Sequence, residues 1–240
     1  KSRATSTRPK QAFFSTTPHR TSPVAMANQH GCSSNHSISI ATSSYLLRPR
    51  FRAAKVGLRS PAAEAIAERR PFLPALRPQV LPAIVIGLLS GVAIVACWLL
   101  VKPYLTAEFI ARADAFNRIL PPITRFLYGG FTEELLLRWG VMTLFVWVLW
   151  KILGRRSGAP RSACFVLAIF AAALLFGAGH LPIASALSGG LTLPLTIYVI
   201  GANSIFGIVA GFLYWKRGLE SAIIAHMFVH VVLLAAINLA

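Results

Sequence analysis

Acidic residues are scarce in this chain: seven Asp and Glu stand against 24 Lys and Arg in 240 residues, a formal charge of +17. Residues 1–60 contain no acid, and residues 162–215 contain no charged side chain of either sign. Only 13% of the residues are charged and 55% are apolar, where a soluble domain carries about 25% charge. That balance excludes an ordinary soluble globular domain. The 54 uncharged residues of 162–215 suffice for two bilayer crossings of about 20 residues each. Cysteine is also rare. Cys32, Cys97 and Cys164 show no ligand spacing, and two of them lie in apolar segments, so they specify neither a disulfide nor a redox compartment.

The positive charge is unevenly placed. Residues 1–79 hold thirteen Lys or Arg and two Glu, and residues 80–240 hold eleven basic and five acidic residues. Beside membrane spans, such an excess serves attraction to anionic lipid and control of topology, and no nucleic acid is expected as a partner. Residues 1–79 read as a basic Ser/Thr/Pro-rich tail, and the first 60 cannot bury enough apolar surface to repay ordering entropy, so disorder is expected there. Arg-rich, Ser-rich and acid-free is also the composition of an organellar transit peptide. Because the chain begins at Lys1, this segment reads as a targeting region, a fragment or an over-long reading frame, with Met26 as an internal start.

Residues 80–240 form the expected membrane domain. The wholly apolar run 82–101 predicts a first span. Leu105, Phe109, Phe116 and Ile119 at helical spacing, with Glu108/Arg112 and Asp114/Arg118 as i,i+4 ion pairs, predict an interfacial helix ended by Pro121 and Pro122. Further spans are expected over about 123–153, 162–181, 191–215 and 219–240. The expected fold is therefore all-α: a polytopic transmembrane bundle of about five spans, an interfacial helix and a disordered basic N-terminal tail. Positive charge in alternate loops places the N-terminus inside and the C-terminus outside. At about 1.5 Å per residue, Glu133 and Glu134 then lie roughly 15 Å below the outer surface and His230 roughly 16 Å above the inner one. His180 falls nearer the outer face, so the groups meet only if the third span is tilted or starts deeper.

Charge inside such a domain is costly, about 2.5 to 3.5 kcal/mol for one ionised group at a helix centre on the lenient scale. Glu133, Glu134 and Arg138 nevertheless share one helix as EELLLR, followed by His180 in FGAGH and by His226 and His230 in HMFVH. Glu134 and Arg138, four apart, share a face and can pair, whereas Glu133 points about 100° away, toward another partner or a trapped water. Both carboxylates could alternatively be structural clamps. His226 and His230, also four apart, suit two metal ligands or two donors aimed at an oxyanion. Asn203 reads as an interhelical hydrogen-bonding residue, and Gly207 and Gly211 in GIVAG as a close-packing motif.

These residues carry a resemblance. EELLLR resembles the EExxxR signature of the CPBP family, also called the Abi or CaaX-protease-like family of intramembrane glutamic endopeptidases. FGAGH is similar to its FxxxH, and HMFVH stands where the family has HxxxN, the match covering about residues 123–240. The resemblance implies a peptide hydrolase in which Glu133 and His180 activate a water, His226 begins an oxyanion-stabilising pair, and Glu134 and Arg138 orient the site. Position 230 departs from the pattern, because the family usually has Asn there. A histidine still donates a hydrogen bond, but its charge depends on pH.

No cofactor is expected on this reading. The alternative is a zinc-dependent membrane protease using the same Glu/His cluster, or a non-catalytic scaffold or immunity protein; a proton-coupled transporter is disfavoured by the lack of an inverted repeat. The expected partners are the lipid bilayer and a membrane protein or peptide substrate, lipidated or not. The expected location is a bacterial inner membrane, or an organellar one if the tail is a transit peptide.

Overall fold

The computed structural model describes residues 55–153 and 158–239. Most of the expected tail, and half of the basic loop after the second span, therefore lie outside the described residues. The last part of the tail is seated on the bundle: Val56 and Leu58 are fully buried in the main core, and the short helix α1 (Pro61–Ala67) follows. Ser60 Oγ and the Ala62 amide both donate to Glu220 Oε1, at 2.6 and 2.8 Å, and the Leu219 amide donates to the Arg59 carbonyl.

The first membrane helix, α2 (Leu73–Val101), starts well before the apolar run at Pro82 that announced it. It passes through Pro78 and Pro82. Pro82 has no N–H for the Pro78 carbonyl, and Arg217 Nη1 reaches that oxygen instead, in a long hydrogen bond of 3.4 Å. A single turn leads to α3 (Ala107–Ile119), where the Phe109 N–H donates to the capping Thr106 Oγ1. Phe109 and Ala113 of α3 are buried, and the expected pair Glu108–Arg112 forms at 2.7 Å. The expected pair Asp114–Arg118 does not form among the described residues; both side chains line a cavity instead.

Then come α4 (Pro122–Leu153), α5 (Ser162–Gly179), α6 (Leu181–Ser188), α7 (Leu193–Arg217) and α8 (Leu219–Leu239). Five helical runs are long and apolar enough to cross a bilayer, and no strand occurs among the described residues. Large apolar side chains such as Leu81, Leu89, Leu100, Leu136 and Leu174 lie exposed on the outside, which lipid tolerates and water does not. The fold is an all-α polytopic bundle, and the chain is an integral membrane protein.

The last helix, α8, packs most extensively on α2, and α5 on α7. The second contact uses the predicted glycines. A Cβ on Gly207 would lie 2.9 Å from Ala173 Cα, and one on Gly211 2.9 Å from Ile169 Cγ2, so only glycine permits this approach. Between α7 and α8 the chain reverses at Gly218, whose φ of +120° a side chain would resist. Buried polar side chains tie helices in pairs: Ser221 donates to Gln79 across α8 and α2 at 2.9 Å, and Thr143 bonds Tyr214 across α4 and α7 at 3.0 Å. A smaller core of Phe109, Ala113, Ala184, Leu195 and Val199 gathers α3, α6 and the start of α7 at one end of the bundle.

Candidate active site

The second span is not wound as expected. Over Arg125–Glu133 and Leu135–Met142 it forms wide π-type turns before returning to α-helix at Thr143. Its buried residues are Arg125, Gly129, Gly130, Glu134, Arg138, Met142, Thr143 and Val146, a row that returns every four or five positions. In an α-helix, at about 100° per residue, Arg125 and Met142 would diverge by about 100°. The wider winding keeps the whole row facing inward. It also advances less per residue, which places Glu133 nearer the start of α4 than the α-helical depth predicts. That moves the acidic motif toward the level of His180, at the end of α5.

Glu134 and Arg138 have no exposed surface, and Arg138 Nε lies 3.0 Å from Glu134 Oε2. The N–H groups of Arg138 are not aligned for hydrogen bonding, so the contact is electrostatic, and the guanidinium also lies 5.1 Å from the centre of the Phe176 ring. The other oxygen, Glu134 Oε1, is 2.9 Å from His226 Nδ1. An ionised carboxylate only accepts, so Nδ1 carries the proton and Nε2 is left for other chemistry. Glu134 thus joins α4 to α8.

Phe176 is the hub that gathers the histidines. Its ring lies edge-on to His180 at 4.8 Å and to His226 at 5.9 Å, while Phe206 leans on His226 at 4.4 Å. His180 directs Nδ1 to the Phe176 carbonyl at 2.8 Å and sits at the joint where α5 ends and Pro182 enters α6. His226 and His230 stack with ring centres 5.0 Å apart. Both ring nitrogens of His230 are buried without a hydrogen-bond partner, an unusual state for polar atoms that calls for a ligand or a role. Gly129 makes room for it: a Cβ there would collide with His230 Nε2.

Glu134, Arg138, His226 and His230 therefore form one buried cluster, with His180 a single aromatic ring away. Glu133 stands apart. It is half-buried, and no hydrogen bond or ion pair joins it to His180 or to any other described residue. The expected convergence of Glu133 and His180 is not a direct contact. Among the described residues, no group of three His, Cys, Asp or Glu side chains is placed to hold a metal ion.

Two features escaped the sequence pattern. The first is Arg125, which lies near the start of the second span and is buried, at 7% exposure. Its spacing of four to Gly129, within the four-to-five rhythm of the inward row, was the available signal. The second feature is a cavity of about 640 Å³ at the α3 end of the bundle, lined by Arg125, His180, Trp98, Tyr198 and Asn203 among others. Asn203, expected to bridge helices, donates to Val199 of its own helix and presents the rest of its amide to this cavity.

A search of curated proteins and one of solved structures returned no match. A family model does match: the Rce1-like model, described as type II CAAX prenyl endopeptidase Rce1-like, over residues 115–232. That stretch contains α4, α5 and α7 with all three motifs and most of α8. Residues 115–232, just under half of the chain, thus match the Rce1-like, CaaX-protease-type family that the three polar motifs resemble.

Proposed function

We propose that the chain is an intramembrane endopeptidase that hydrolyses a peptide bond of a membrane-associated protein or peptide with a water activated by Glu133 and His180. The observation that carries this reading is the buried Glu134–Arg138–His226 cluster with His180 and His230 beside it, five titratable side chains from three spans inside an apolar bundle. Such groups are expensive in a membrane and are retained where they act. The half-buried Glu133 is the carboxylate left unpaired when Glu134 is held by Arg138 and His226. Its oxygens are free to take a proton from water, and His180 Nε2, left open because Nδ1 is bonded to the Phe176 carbonyl, would be the second partner of that water.

The hydroxide oxygen adds to the peptide carbonyl carbon, and the abstracted proton passes to the amine as the C–N bond breaks. His226 and His230 supply donors to the tetrahedral oxyanion, His226 through Nε2 when it carries both protons. Glu134 and Arg138 orient His226. The specific pairing of Glu134 with His226 favours a second assignment on the same site: His226 Nε2 as the base, held in its tautomer by Glu134. The two differ in what happens when Glu133 is replaced.

We read the site as metal-free because no three His, Cys, Asp or Glu side chains come together as ligands among the described residues; the Nδ1 hydrogen bonds of His180 and His226 leave each Nε2 open. Stoichiometric zinc in purified protein, lost together with activity on chelation, would reverse that reading. The substrate class follows the family description, a prenylated protein of CAAX type, and the apolar cavity beside His180 suits a lipid-bearing peptide. Membranes containing the Glu133→Gln protein should cleave a prenylated CAAX reporter about 10²- to 10⁴-fold more slowly than wild type. Undiminished cleavage rejects Glu133 as the base and leaves His226 with Glu134.

A further inference from the structure

Arg125 is a nearly buried cation without a counter-charge. Its Nη2 donates to the Asn117 carbonyl at 2.8 Å and to Asn117 Oδ1 at 3.1 Å, both neutral acceptors on α3. Its Nε is buried with no partner, and no carboxylate lies within ion-pair distance among the described residues. Guanidinium groups in such places are ordinarily compensated, so an anion is the missing element. The side chain lines the same cavity as His180.

The rest of that cavity describes the anion. Lys102 and Arg118 add positive charge and Asp114 is the one acid among the lining residues, while Trp98, Phe109, Tyr198 and Leu233 provide apolar walls. At about 640 Å³, the space is that of a ligand pocket rather than an ion site. A guanidinium fork matches a carboxylate geometrically as well as electrostatically.

We infer that Arg125 binds the free C-terminal carboxylate of the peptide substrate and so selects chains whose terminus reaches into this cavity. The inference deepens the endopeptidase reading and rests on it for the identity of the ligand. Arg125 lies one turn before Gly129, the residue against which His230 packs, so the carboxylate end and the histidine cluster are reached by one inward face of α4. A phospholipid headgroup has the same charge, but the presence of His180 in the same cavity favours a peptide.

The test uses the full chain in phosphatidylcholine nanodiscs and one fluorescent prenylated-cysteine peptide made twice, with a free C-terminal carboxylate and with a C-terminal amide. Binding is measured on the Glu133→Gln protein and cleavage on the wild type. The acid should bind and be cleaved about tenfold to hundredfold better than the amide, with the difference carried by KM. Adding Arg125→Gln should bring the acid-to-amide ratio close to one, and Arg125→Lys should restore part of it. Equal binding of acid and amide to the protein with Arg125 intact overturns the inference without recourse to any Arg125 variant. An Arg125→Gln effect confined to the binding of anionic lipid, with peptide binding unmoved, overturns it in favour of a headgroup site. A preserved binding preference without cleavage of either peptide upholds the carboxylate site and removes the protease reading instead.

Discussion

Arg138 and Glu134 are both without exposed surface, so each is tolerable only because the other is there. Arg138→Met should leave the Glu134 carboxylate with His226 alone and lower stability by about 3–5 kcal/mol, whereas the double change Glu134→Gln, Arg138→Met should recover part of that loss. Thermal unfolding of the purified proteins measures both, and a double variant no more stable than the single one would show that the pair is not mutually compensating. His230 makes a different kind of demand. Its two nitrogens are buried and unpaired, so replacing it costs little structural hydrogen bonding and chiefly removes a donor. His230→Ala should reduce kcat by about 10²- to 10³-fold, while His230→Asn, which keeps a donor and matches the usual family residue, should retain most of it. Equal losses in the two variants would mean that the ring stack on His226 matters more than the donor.

At the scale of elements, the glycines decide which helices approach. A side chain at Gly207 would meet the backbone of Ala173 at 2.9 Å, and backbone cannot move aside, whereas one at Gly130 would meet Met227 Cγ at 2.6 Å, part of a flexible chain. Gly207→Ala should therefore destabilise by about 1–3 kcal/mol and Gly130→Ala by less, a ranking that melting temperatures of the two variants will check. The spans themselves were legible in the sequence because an uninterrupted apolar run specifies a crossing helix by length alone, and 162–215 supplied two. Helix winding was not. The inward row of α4 repeats every four or five residues, but only Glu134 and Arg138 in it are conspicuous; Arg125 and the two glycines reveal the longer period only when the row is already known. The Glu134–Arg138 pair followed directly from i,i+4 spacing, while the bond from Glu134 to His226 joins positions 92 apart and has no local signature.

The whole molecule includes more of the N-terminal region than its composition suggested. Residues 55–60 are basic and Ser-bearing, and two apolar residues separated by one glycine are too short a pattern to mark burial. Yet Val56 and Leu58 enter the same core as Met142, Phe206 and Ala225, and Glu220 holds the chain just beyond them through Ser60 and Ala62. If that segment is a true part of the bundle, Leu58→Ala should cost about 2–5 kcal/mol, the value for a core leucine. A surface linker would lose no more than about 0.5 kcal/mol. Glu220→Gln should weaken the same clasp by removing the charge from two hydrogen bonds, about 1 kcal/mol or somewhat more. The two positions act on one segment, so their effects should fall short of additive: once Leu58 no longer anchors residues 55–62, less remains for Glu220 to hold. Thermal melts of the two single variants and the double variant decide the matter. Full additivity would indicate that the core leucine and the clasp act independently, and a silent Leu58→Ala would place the segment outside the cooperative unit altogether.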